Sequence, residues 1–188
     1  MKGIFTAIGI ILFLIVIVIT GAISVYNNIV TRHETITSKW AQVENQLQRR
    51  NDLIPNLVNS VKGYVAHEKD VYEKITAARS SWSKAGTLSE KVAAAQATDS
   101  ALFRLLAIAE SNPELKANQN FMKLQDELSG SENRIAVERM RYNEAVKDYN
   151  ITIRTFPGNI LAGMFGYASA SEYFKSQEEA KSVPEVKF

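Results

Sequence analysis

The sequence contains no cysteine, which excludes disulfide frameworks, thiolate metal sites and cysteine nucleophiles together. Four prolines and nine glycines in 188 residues are too few for a collagen-like or disordered chain. A strong charge of one sign is also missing. The 22 basic and 20 acidic side chains leave +2, which argues against a strongly basic nucleic-acid binder, so no nucleic-acid partner is expected. The chain is only slightly tilted, with nine basic and six acidic residues over 32–84 and twelve and fourteen over 85–188. That supports no more than mild attraction of the first part to anionic surfaces.

The most informative absence is local. From Gly3 to Thr31 there is no charged residue, and Arg32 is the first charge after that run. Its densest part, Ile4 to Val25, is about 22 apolar residues, enough at ~1.5 Å per residue to span the ~30 Å hydrocarbon core of a bilayer. A signal-peptide apolar region is usually only ~7–15 residues long. The run therefore predicts a transmembrane anchor over residues 1–25, retained as a signal-anchor although Ala22-Ile23-Ser24 offers small residues to a peptidase. Lys2 and the free amine on one side balance Arg32 and Lys39 on the other, so the positive-inside count is a tie.

Beyond the anchor no stretch alternates apolar and polar residues as a strand would, and the pattern is helical throughout. The expected fold is all-α, a transmembrane helix followed by a long antiparallel helical bundle with coiled-coil-like packing. Val30, Ile36, Trp40, Val43 and Leu47 continue the anchor helix, and Asn51-Asp52 followed by Pro55 predicts a turn or kink near Arg50 to Asp52. A second helix then carries Leu57, Val58, Val61, Tyr64, Val65, Val71, Tyr72, Ile75 and Ala78, with Gly86 as its terminating loop. A third runs from about Leu88 to Glu110. Ser111-Asn112-Pro113-Glu114 reads as the start of a fourth. Along it Phe121, Leu128, Ile135, Tyr142, Tyr149 and Phe156 recur every seven residues, the repeat of a left-handed supercoil. Phe156-Pro157-Gly158 ends it, and residues 176–188 read as a flexible polar tail.

Two separated blocks carry a resemblance. Trp40, the run Gln46-Leu47-Gln48-Arg49-Arg50-Asn51-Asp52-Leu53-Ile54-Pro55-Asn56-Leu57-Val58, Val61-Lys62-Gly63-Tyr64 and His67-Glu68 form the first. Ser131-Glu132-Asn133-Arg134-Ile135-Ala136, Arg139, Tyr142-Asn143, Tyr149-Asn150 and Phe156-Pro157 form the second. Both resemble the LemA family of bacterial membrane proteins. The resemblance implies one N-terminal membrane helix and a helical bundle over 26–175, and it supplies no agreed biochemical activity. Some members resemble lipoproteins at the end of the apolar segment, which favours an extracytoplasmic body; this chain has Gly21-Ala22 and no cysteine there. Others are associated with building magnetosome membranes.

Catalytic groups do not converge in the sequence. His67-Glu68 begins like a zinc helix, but Val71 stands where the second histidine would be. His33 and His67 have Val30 and Tyr64 three residues before them, not the glutamates of a di-iron bundle. There is no nucleophile elbow or phosphate loop. No catalytic, cofactor or metal site is expected, and the chain reads as a non-enzymatic scaffold or interaction protein with membrane, protein partners or a second copy as its contacts.

Two residue groups remain as candidates. Arg49, Asp52, His67, Glu132, Arg134 and Glu138 form a candidate polar layer, to be weighed against a solvated face of weak i, i+4 pairs. The alternative to a scaffold, an enzyme or enzyme accessory, would use such a polar cluster between helices. Ile160, Leu161, Met164, Phe165, Tyr167, Tyr173 and Phe174 form a candidate interaction surface, to be weighed against a cap over the bundle end.

Overall fold

The computed structural model describes residues 2–63, 69–170 and 173–174. His67, Tyr64 and Val65 lie outside the described residues, as does the polar tail. Among the described residues there are six helices and no strand. They are α1 (Lys2–Val61), α2 (Lys69–Lys84), α3 (Leu88–Glu110), α4 (Pro113–Lys116), α5 (Gln119–Arg154) and α6 (Gly158–Phe165). The chain divides into two compact units, one of Met1–Ala41 with Arg139–Phe188 and one of Gln42–Glu138.

In the second unit, Val43, Leu47, Ile54, Leu57 and Val61 are all buried on α1 and keep one seam in register. This explains why the expected turn at 50–52 does not occur and α1 runs through Pro55 to Val61. An interior proline costs about 3 kcal/mol, but each buried aliphatic side chain contributes roughly 1.5–3 kcal/mol, and the three at 54, 57 and 61 would leave the seam if the helix stopped. The helix predicted to begin after the turn is thus the end of α1 and a shorter α2. Ile54, Leu57 and Val61 join Val71 and Ile75 of α2, Leu102 and Leu105 of α3, and Phe121 and Leu128 of α5 in one core.

The junction of α2 and α3 is fixed by a capping box. Glu90 N–H donates to Thr87 Oγ1 at 3.2 Å, while Thr87 N–H donates to the Glu90 carboxylate at 3.0 Å. Gly86 N–H reaches the same carboxylate oxygen at 2.8 Å. These bonds, from Gly86 first and then Thr87, hold the Glu90 carboxyl below its ordinary pKa.

The predicted helix start at Asn112-Pro113 yields only α4, one turn capped by Asn112. The long helix starts at 119, where Asn118 Oδ1 accepts from the N–H groups of Asn120 and Phe121 at 3.0 and 3.2 Å. Along α5 the seven-residue repeat is buried at Phe121, Leu128, Ile135, Tyr142 and Tyr149, but Phe156 lies beyond the helix end and is 79% exposed.

In the first unit α5 runs antiparallel to α1. Arg32 pairs with Asp148 at 3.0 Å, and Trp40 meets Tyr142 edge-on with ring centroids 5.9 Å apart. Ile29, Tyr149, Ile153 and Ala162 are the core here, with Val25, Ile36, Leu161 and Tyr167 packed against it. Residues 3–21 of α1 are exposed along their whole length. The most apolar 18-residue window of α1 has a mean hydropathy of 3.0 and none of it is buried. Helix α3 is also long and apolar enough to cross a membrane, but more than a third of its span is buried, and Leu102, Leu105 and Ala109 are core residues.

Candidate functional site

Among its described residues the second unit holds a buried charge cluster. Arg50 is 1% exposed because it occupies the α1 seam between Leu47 and Ile54, where a hydrophobic residue would fit the repeat. Its Nη1 donates to Asp99 of α3 and, at 2.9 Å, to Glu132 of α5. Its Nη2 points to the Ala95 carbonyl at 3.4 Å. One nitrogen thus serves both carboxylates through its two N–H groups while the second faces a carbonyl, so a single planar guanidinium meets three acceptors. The cluster ties three helices into one register, and both acids are needed because an uncompensated buried cation is costly.

Of the sequence-expected polar layer, Glu132 belongs to this cluster and keeps half its side chain in solvent. Arg49 and Arg134 are exposed and Glu138 is half-buried. Exposed Asp52 accepts from Gln48 Nε2 at 2.9 Å, and both line a cleft of 290 Å³ with Arg79 and Trp82. The candidate layer left out Arg50, and sequence reasoning missed Asp99. The signal was present for Arg50, since it and not Arg49 falls on the seam of Leu47 and Ile54.

The first unit builds its site from neutral groups. Asn143 and Asn150 lie seven residues apart on α5, each next to a seam tyrosine, and each grips the backbone of the returning C-terminal segment. Asn150 Nδ2 donates to the Ala170 carbonyl at 2.7 Å, and Ala170 N–H donates back to Asn150 Oδ1 at 3.0 Å. Asn143 Nδ2 donates to the Phe174 carbonyl and Phe174 N–H donates to Asn143 Oδ1, both at 2.9 Å. Each carboxamide supplies one donor and one acceptor to one residue, as a neighbouring strand would. Tyr149 OH adds a bond to the Ala168 carbonyl at 3.0 Å, and burial raises the pKa of that hydroxyl, keeping it a neutral donor.

An aromatic row on α1, again spaced by seven, receives the segment. Tyr26 contacts Phe165 with ring centroids 4.7 Å apart, His33 contacts Tyr149 and Tyr167 at 5.5 and 5.9 Å, and Trp40 stacks with Phe174 at 5.8 Å. The Arg139 guanidinium lies 5.2 Å from the Phe174 ring centre, a favourable cation–π distance. The expected interaction surface thus divides. Leu161, Tyr167 and Phe174 are partly buried, whereas Ile160, Met164, Phe165 and Tyr173 are exposed.

Two glycines shape this segment. A Cβ at Gly158 would overlap the Thr152 carbonyl oxygen, so only glycine lets α6 begin that close to α5. Gly166, at φ +76°, ends α6 in the left-handed conformation, and Tyr167 N–H returns to the Ala162 carbonyl at 2.9 Å.

Among the described residues there is no group of three or more His, Asp or Glu side chains able to hold a metal ion. Arg50, Asn143 and Asn150 hold helices and backbone in place.

Comparison with known proteins follows the same blocks of sequence. The LemA family profile matches residues 39–188. The chain belongs to the LemA family. It is 28% identical over 178 residues to magnetosome proteins MamQ 1 and MamQ 2 of Paramagnetospirillum magneticum, covering 81% of this chain and 65% of theirs. It is 27% identical over 182 residues to magnetosome protein MamQ of Magnetospirillum gryphiswaldense, covering 83% of this chain and 66% of that one. This LemA-family chain therefore spans just under two thirds of the length of these relatives. The profile includes Trp40, Arg50, Asp99, Glu132, Asn143 and Asn150, so the charge cluster and both amide clamps lie inside the family region.

Proposed function

We propose that this LemA-family protein is a non-enzymatic scaffold or interaction protein, held in the cell membrane by α1 with its body on the extracytoplasmic side. The observation that carries the reading is the continuity of α1. The uncharged, unburied run 3–21 passes without a break into residues that pack against α5 and α6, which supports a retained anchor over a detachable leader. Membrane association agrees with relatives named as magnetosome proteins. The use of Arg50, Asn143 and Asn150 as structural ties supports a role in presenting surfaces, to protein partners or to a second copy.

Cross-linking of the full chain in intact cells tests the scaffold reading. Discrete homo-oligomers or adducts with membrane proteins are expected, and a chain recovered solely as a monomer without adducts would overturn it. The absence of cysteine makes the side of the membrane directly measurable. With Ser83→Cys, at the exposed end of α2, an impermeant maleimide is expected to label cells before lysis, and labelling only after lysis would place the body in the cytoplasm.

A further inference from the structure

Helix α6 has two faces, and the described residues cover only one. Gly158 and Ala162 are buried, and Leu161 packs on the core of Ile29, Tyr149 and Ile153. On the other side Phe156, Ile160, Met164 and Phe165 are 79, 53, 72 and 57% exposed. Ile160 and Met164 are spaced by four residues and share one stripe on α6, and Phe156 lies in the turn that precedes it. From Thr155 to Ser171 there is no charged residue, so the stripe has no charged rim of its own.

Its place in the fold says what faces it. In the antiparallel pair of α1 and α5, Asp148 is opposite Arg32 and Tyr142 opposite Trp40. Both helices rise about 1.5 Å per residue, so Phe156 comes level with about Val25, where the membrane run ends. Helix α5 stops at Arg154, its last charged residue, as the pair reaches that level. Val25 and Ile29 of α1 belong to the cluster that includes Leu161 and Ala162, and Phe165 sits against Tyr26. The exposed stripe is therefore continuous with the lipid-facing surface of the anchor.

We propose that α6 is a second membrane contact, lying in the plane of the bilayer surface with Phe156, Ile160, Met164 and Phe165 in the headgroup and upper acyl region of the leaflet from which α1 emerges. This rests on the reading of α1 as a membrane anchor. Binding at that boundary grows with the apolar area buried there, and Tyr26, against which Phe165 sits, marks the depth at which tyrosine and tryptophan concentrate. The Asn143 and Asn150 clamps then hold down the segment that returns from the membrane.

The cysteine-free background allows a direct test with the full chain in single-copy lipid nanodiscs. Ile160→Cys, Met164→Cys, Ile15→Cys and Ser83→Cys are each labelled with an environment-sensitive fluorophore and exposed to lipids brominated high on the acyl chain. Circular dichroism checks that each labelled chain is as helical as the unaltered one. Quenching at 160 and at 164 is expected to be several-fold above that at 83. Labels at 160 and 164 as accessible to water as the one at 83, with the label at 15 protected, would overturn the proposal while leaving the anchor intact. Labels shielded from water but unquenched by lipid would mean a protein cover and would overturn it too. A label at 15 exposed to water would remove the anchor reading and this inference together. Agreement at two independent positions guards against the loss of either variant.

Discussion

The two units solve the same problem, a polar group inside a helical seam, with opposite chemistry. Around Arg50 the solution is ionic, one buried guanidinium answered by Asp99 and Glu132 from two other helices. Around Asn143 and Asn150 it is neutral, with amides answered by the N–H and C=O of Phe174 and Ala170. Charge fixes regular helices to one another, because its partners can be placed on any helix face that keeps some solvent. Neutral amides fix an irregular segment, whose backbone groups need partners wherever it is covered.

The largest expected effect breaks the ionic half. Asp99→Ala leaves a buried cation with one partner and should cost about 1.5–3 kcal/mol in urea unfolding. Arg50→Met should cost clearly less, because the acids left behind keep 16% and 51% of their side chains in solvent and can turn to water. Equal losses from the two variants would mean that the cluster acts through packing and not charge.

The neutral half is broken by Asn150→Ala, which strands both backbone groups of Ala170. A loss of about 1–3 kcal/mol is expected, with α2 and α3 unaffected by hydrogen exchange. Asn150→Asp, which keeps an acceptor but no donor, should recover little of it.

Gly158→Ala sharpens the comparison by disturbing the segment sterically and leaving every polar partner in place. The Thr152 carbonyl would have to move, and overpacking of this kind costs about 1–3 kcal/mol. Faster exchange at Ala170 and Phe174 should accompany it.

The smallest effect is at the capping box. Glu90 is depressed in the folded chain, so its contribution is complete above the unfolded value of about 4.3 and is lost as pH falls through the lower folded value. Glu90→Gln should flatten that acid limb of the stability curve while leaving the pH dependence around Arg50 unchanged.

Much of the fold was legible in particular residues. The uncharged run to Thr31 gave α1, Gly86 gave the α2–α3 corner, and the repeat from Phe121 to Tyr149 gave the inner face of α5. Local signals misled where tertiary burial outweighed them. Pro55 reads as a helix start until Ile54, Leu57 and Val61 are seen to share one core, and Asn112-Pro113 has strong start chemistry but leads only to α4. The site was less legible because polar residues carry no periodic signal of burial. Arg49 and Arg50 are chemically alike and differ only in seam position, and Asn150 shows its role only once Ala170 is brought back beside it.

The most direct measurement is amide hydrogen exchange on the full chain in nanodiscs, read at Ala170 and Phe174. Both amides are expected to exchange slowly, Ala170 becoming fast in Asn150→Ala and Phe174 in Asn143→Ala, while the α5 amides between the two asparagines stay protected. Fast exchange at both positions in the unaltered chain would contradict this, since the segment would then not be held against the anchor-bearing unit at all.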